Sequence, residues 1–134
     1  MFLLDTNIVS EARRRAPQAI KWLKAADPAK LYLSVISLGE IERGIAMKER
    51  EDRPAAGHLA VWLETLRRDF ADRILPVGDE IALEWGRLAA LRPRGDADGL
   101  IAATAIVHNL ILITRNTADF EDTRAPLINP WRLD

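Results

Sequence analysis

The sequence predicts an α/β fold built on a largely parallel sheet. Two observations predict it: short, wholly apolar runs suited to buried strands recur along the chain, and helical apolar stripes separate them. A length of 134 residues, 49% of them hydrophobic, fits one domain spanning 1–134 with a single core. Phe2-Leu3-Leu4 reads as the first strand and ends at Asp5. Ile20, Trp22 and Leu23 mark a short helix, stopped near Asp27-Pro28. Leu31-Tyr32-Leu33 is a second strand, after which Ser37 opens a helix carrying Leu38, Ile41 and Ile45. Beyond Pro54, Leu59, Trp62, Leu63, Leu66 and Phe70 form a stripe on a longer helix. That stripe is wider than one face of a small domain needs, so part of it is expected to meet a second copy or a partner helix. Ile74-Leu75-Pro76-Val77 reads as a strand that its proline confines to an edge or an end. Ile81, Trp85 and Leu88 belong to a helix closed before Pro93. Residues 99 to 108 form an alanine-rich helix that Asn109 can cap in the left-handed conformation. Leu110–Ile113 is the strongest strand, and Leu127-Ile128 is a last one. Trp22, Trp62 and Trp85 sit in these patterns as core residues rather than base-stacking platforms.

Composition narrows the chemistry. Cysteine is absent, which excludes disulfides and thiolate metal sites and suits a reducing cytoplasm. Only His58 and His108 offer imidazole, so any metal must be held by oxygen. His108 fits a helix carboxyl terminus better than the role of a base. The amino terminus lacks the apolar run of a signal peptide, no stretch reaches the roughly 20 residues of a membrane span, and a cytoplasmic protein without a membrane partner is expected. Net charge is −1, which is no nucleic-acid footprint, yet 15 of the 19 basic residues are arginine. The clusters Arg13-Arg14-Arg15, Arg67-Arg68 and Arg92/Arg94 read either as solvated surface or as phosphate contacts, and composition leaves both open.

In open parallel sheets, ligands bind beyond the carboxyl ends of the strands. Asp5 follows the first strand, and Asp119 lies in the segment after Leu110–Ile113. Glu40 falls in the first turn of the helix after strand two, and Asp98 at the start of the alanine-rich helix. Four acids from distant segments can thus meet at one sheet edge. Carboxylates that share a site raise one another's pKa, and Mg²⁺ or Mn²⁺ would remove that penalty. Each acid also has a plainer reading. Asp5 can cap the next helix, Ser37-Leu38-Gly39-Glu40 matches a capping box, and Asp96 or Asp98 should cap the alanine-rich helix. Asp119 can close a turn, and Glu42 lies nearer the apolar stripe than Glu40.

Taken in order, the motifs resemble PIN-domain ribonucleases, specifically the VapC-like toxins of toxin–antitoxin pairs and their FitB-type branch. The resemblance spans essentially the whole chain. It rests on Leu3-Leu4-Asp5-Thr6-Asn7, Ser37-Leu38-Gly39-Glu40-Ile41 with Gly44, and Asp98-Gly99-Leu100-Ile101-Ala102-Ala103-Thr104-Ala105. Thr114-Arg115-Asn116 with Asp119-Phe120, and Asn129-Pro130-Trp131, complete it. It implies a PIN-like three-layer domain, a mostly parallel sheet flanked by helices. It also implies that Asp5, Glu40, Asp98 and Asp119, rather than Glu42 or Asp96, are the catalytic, metal-holding acids. By the same resemblance Thr6, Asn7, Thr114 and Asn116 orient those acids or water, and Arg115, Arg92 and Arg94 bind phosphate. The implied activity is Mg²⁺- or Mn²⁺-dependent endoribonuclease hydrolysis leaving a 5′-phosphate and a 3′-hydroxyl. The implied partners are RNA, a cognate DNA-binding antitoxin, and a second copy in a homodimer, with a larger complex on operator DNA.

Two rivals remain at this point. Asp5-Thr6-Asn7 at a strand end could belong to a phosphatase or receiver domain that phosphorylates aspartate, but Asn7 stands where a haloacid-dehalogenase-like phosphatase needs a second acid, and no lysine partner is evident. The other rival is a fold that binds RNA or protein without cutting.

Overall fold

The computed structural model describes residues 1–133. Five strands form one parallel sheet: β1 Phe2–Leu4, β2 Leu31–Ser34, β3 Ile74–Leu75, β4 Ile111–Ile113 and β5 Leu127–Ile128. Their spatial order is β3-β2-β1-β4-β5, so the first strand is central. Every expected strand is present, and β3 takes the edge that Pro76 requires.

Strand periodicity divides the core between the two sheet faces. In register, Leu3 stands beside Tyr32 and Leu112, while Leu4 stands beside Ile113. The Leu3 face packs with Ile81, Leu88, Ile101, Ala102 and Phe120 beneath α5 (Asp79–Leu91) and α6 (Asp96–Val107). The Leu4 face packs with Ile8, Leu33, Ile41, Ile45, Leu63 and Leu66. These come from α1 (Thr6–Arg13), β2, α3 (Val35–Glu49) and α4 (Arg53–Asp69). Between α1 and α2 (Pro17–Ala25) the chain reverses through Arg15 at φ 65°. Asn109, at φ 54°, ends α6 as expected, with His108 at its carboxyl cap.

Two boundaries differ from expectation. Helix α3 starts at Val35, and Ser34 caps it by accepting from the Ile36 amide at 3.0 Å. Ser37 is fully buried inside the helix, so it opens nothing and there is no capping box with Glu40, which lies in the second turn. Helix α6 is capped by Gly95, and neither Asp96 nor Asp98 makes a side-chain cap bond. The α4 stripe turns inward: Leu63 and Leu66 are buried, and Leu59, Trp62 and Phe70 are half-buried against the same cluster. Trp22 meets Phe2 edge-on at 5.2 Å, and Trp85 packs against the core beside α6. No helix among the described residues is long and apolar enough to cross a membrane.

Candidate active site

The site forms where β1 and β4 end side by side. Here the sheet's connections diverge to opposite sides, the crevice in which open α/β sheets take ligands. Asp5 continues the ladder, its amide donating to the Ile113 carbonyl at 2.9 Å. Its carboxylate is buried and hydrogen-bonded at both oxygens. Oδ1 accepts from the Thr6 amide at 2.8 Å, while Oδ2 accepts from Thr114 Oγ1 at 2.8 Å and Asn7 Nδ2 at 3.2 Å. Asp5 is therefore both the cap of α1 and a member of the acid site. Burial pushes its pKa up to about 6; the Thr114 bond opposes this, Asp98 adds to it, the Thr6 amide opposes it and Glu40 adds to it.

Glu40 reaches the site from α3. Its Oε1 accepts from Thr6 Oγ1 at 2.6 Å, and the same hydroxyl lies 2.7 Å from Ser37 Oγ. The serine read as a helix cap thus orients the threonine that holds Glu40. Asp98 is the third residue of α6, where the helix dipole favours an anion. Its pKa is also raised, first by burial and then by Asp119 and Glu40, with Arg94 pulling the other way. Asp119 is exposed in a 3₁₀ turn, Thr117–Asp119, whose amide closes onto the Asn116 carbonyl at 3.1 Å. Glu42 and Asp96 are exposed, and neither is among the charges that shift Asp5 or Asp98.

Asn116 and Arg115 join this network through their backbone amides. The Asn116 amide donates to Thr114 Oγ1 at 3.0 Å, and Asn7 Oδ1 receives the Arg115 amide at 3.4 Å. The Arg115 guanidinium is exposed, 4.8 Å from the Trp131 ring centroid and 3.8 Å from a Glu11 carboxylate oxygen. Asn129 pins the same loop by donating to the Arg115 carbonyl at 3.1 Å. The phosphate contact expected of Arg94 is corrected by its burial: the side chain is 3% exposed and its fork is spent on Asp122. Arg92 shares that partner at 3.0 Å but keeps 40% exposure.

A cleft of about 600 Å³ runs from Thr6 and Glu40 between α1, α3 and α4. Ile41, Ile45 and Leu59 line it beside Arg13, Arg14, Lys48 and His58, and Arg13 covers Trp62 at 5.6 Å. The Arg13-Arg14-Arg15 run pointed to part of this basic lining, but Lys48 and His58 join it only through the packing of α3 and α4, and net charge averages over the whole surface. Among the described residues, no three Asp, Glu or His side chains are drawn tightly enough to form a finished cation cage. The acids instead feel one another at longer range, and their donor set, oxygen alone, suits a hard divalent cation.

The chain is similar to known proteins in sequence and fold. The PIN domain profile matches residues 2–126. VapC ribonuclease Y4jK of Sinorhizobium fredii is 32% identical over 142 residues, covering 98% of this chain and 98% of the relative. Toxin FitB of Neisseria gonorrhoeae is 33% identical, over 98% of this chain and 99% of its own length. The structure of FitAB bound to the IR36 DNA fragment has a TM-score of 0.86 at 32% identity, covering 100% of this chain and 98% of that one. PIN-domain nucleases generally depend on a divalent metal. By its fold, its motifs and these relatives, the chain belongs to the PIN-domain family, among the VapC and FitB ribonuclease toxins.

Proposed function

We propose that the chain, as one PIN domain over 1–134, is a cytoplasmic toxin that hydrolyses RNA with Mg²⁺ or Mn²⁺ held by Asp5, Glu40 and Asp98, with Asp119 completing the set. The Asp5 carboxylate carries this reading. It is buried at a strand end among like charges, its pKa is pushed up to about 6, and three donors still fix it in place. An acid so placed is unfavourable alone and favourable beside a divalent cation. When bound, such a cation neutralises phosphate charge and makes water acidic enough to act as a nucleophile.

The chain's own residues supply the rest. Thr114 and Asn7 hold one oxygen of Asp5 and leave its plane fixed; Thr6, backed by Ser37, does the same for Glu40. Asn116 steadies Thr114 through its amide. Arg115 at the mouth, with the exposed flank of Arg92, offsets phosphate charge. The cleft lined by Arg13, Arg14, Lys48 and His58 gives an RNA strand a path to Glu40. A cognate DNA-binding antitoxin covers the toxin, and a homodimer with antitoxin binds operator DNA, as FitAB is bound to its DNA fragment.

The test is direct. Purified protein should cut structured RNA with Mg²⁺ or Mn²⁺, stop with chelator, and lose at least about 100-fold in rate as Asp98→Asn. Unchanged cutting in excess chelator would falsify the metal-dependent mechanism.

A further inference from the structure

We propose that Arg94 is a positioning residue for the acid site: its buried side chain, with the guanidinium gripped by Asp122 and the stem against Gly99, sets the separation of Asp98 and Asp119. This rests on the reading of those two acids as cation-binding groups.

Arg94 lies just before α6, in a stretch whose neighbours Pro93 and Gly95 are exposed, yet its own side chain is only 3% exposed. Arginine is rarely buried so fully without a specific partner. Here Nη1 donates to Asp122 Oδ1 at 3.1 Å and Nη2 to Asp122 Oδ2 at 2.5 Å, a two-pronged grip that fixes orientation as well as distance. Nη1 also donates to the Asp119 carbonyl at 3.2 Å, where Arg92 adds a second bond at 2.7 Å. The backbone of the turn that carries Asp119 is therefore tied to the entrance of α6 by two guanidiniums.

The other end of the side chain is held just as closely. A Cβ at Gly99 would lie 2.8 Å from Trp85 Cδ1 and 3.5 Å from Arg94 Cδ. The missing side chain at 99 lets the arginine stem and the indole press against the first turn of α6, directly behind Asp98. Arg94 Nε is buried without a hydrogen-bond partner. Turning outward would hydrate Nε but release both the turn and the helix start. The positive charge also stands against the mutual repulsion of Asp98 and Asp119.

Arg94→Lys keeps the charge and removes the fork; Asp122→Asn keeps the shape of a more exposed partner and removes its charge. Both, with wild type, should be titrated with Mn²⁺ by electron paramagnetic resonance and melted without metal. Cleavage should then be followed against Mg²⁺ concentration. Both variants should bind Mn²⁺ on the order of 10-fold more weakly, need correspondingly more Mg²⁺, and recover most of the wild-type rate at saturation. Lower melting temperatures with an unchanged Mn²⁺ titration would make Arg94 a structural pin only and overturn the proposal. Full wild-type binding by Arg94→Lys would overturn the fork. If Arg94→Lys does not fold, Asp122→Asn alone decides by the same criterion. Wild type that binds no Mn²⁺ would instead remove the metal site itself, and this positioning role with it.

Discussion

At Asp5 a capping residue and a functional acid are the same side chain, and its ionisation gives the pair a measurable signature. The folded protein holds its pKa at about 6 against a usual 3.8. The folded state therefore binds the extra proton between these values, and stability falls as pH rises through that window. Below about 4 the cost vanishes; above about 6 it is complete, on the order of 3 kcal/mol for a shift of roughly two units. Asp5→Asn keeps an oxygen for the Thr6 amide and removes the charge. Without metal it should melt higher than wild type at pH 7.5, by less than that full amount because its amide nitrogen faces Thr114 or Asn7. The advantage should disappear near pH 4. A metal-free Asp5→Asn that melts no higher than wild type at pH 7.5 would mean that the ionised carboxylate carries no such cost in the folded protein. In the sequence the two roles look separate because each has its own local pattern, whereas the fold imposes both on one residue. Ser37 departs from its local signature for a related reason. Ser-x-x-Glu is a local signature, and only the packing of α1 on α3 shows that Thr6, not a helix end, is the serine's partner.

Among the elements, α6 shows how a helix can be legible in outline and hidden in its contacts. Its length, its alanine-rich body and its Asn109 stop follow from the chain. Its start does not, because Gly95 rather than either nearby aspartate caps it. Gly99 looks like an ordinary helix-weakening glycine, but Trp85 from α5 occupies the space its side chain would take. Gly86, in α5, has nothing within 4 Å of its would-be Cβ. The same substitution should therefore have opposite signs at the two sites. Gly86→Ala should stabilise by about 1 kcal/mol through helix propensity. Gly99→Ala should destabilise by about 1–3 kcal/mol as overpacking outweighs that gain. Urea melts of the two variants check this, and equal stabilisation by both would show that Trp85 yields freely.

Across the whole molecule, the site exists because of strand order, which was the least legible feature. Alternating apolar strands and helices indicate a parallel sheet, but nothing local states that β1 lies between β2 and β4. That order is set by how two cores close on opposite faces, and it brings Asp5 within 2.8 Å of Thr114, more than a hundred residues away. The acids come together through global topology, so a cation that joins them should stabilise the whole fold and not one loop. At 100 times its dissociation constant, Mg²⁺ or Mn²⁺ should add about 2.7 kcal/mol, a rise of roughly 10 °C in melting temperature for a domain of this size. The rise should be largest above pH 6, where Asp5 is ionised in the folded protein. At pH 4.5 the cation must first displace the Asp5 proton, and the rise should shrink roughly threefold. Asp98→Asn should lose most of it at either pH, since a second acid leaves the set. Calorimetric melts of both proteins at the two pH values, with metal and with chelator, decide the matter. A metal-induced rise that is the same at pH 4.5 and 7.5, and the same in Asp98→Asn, would place the cation away from these carboxylates.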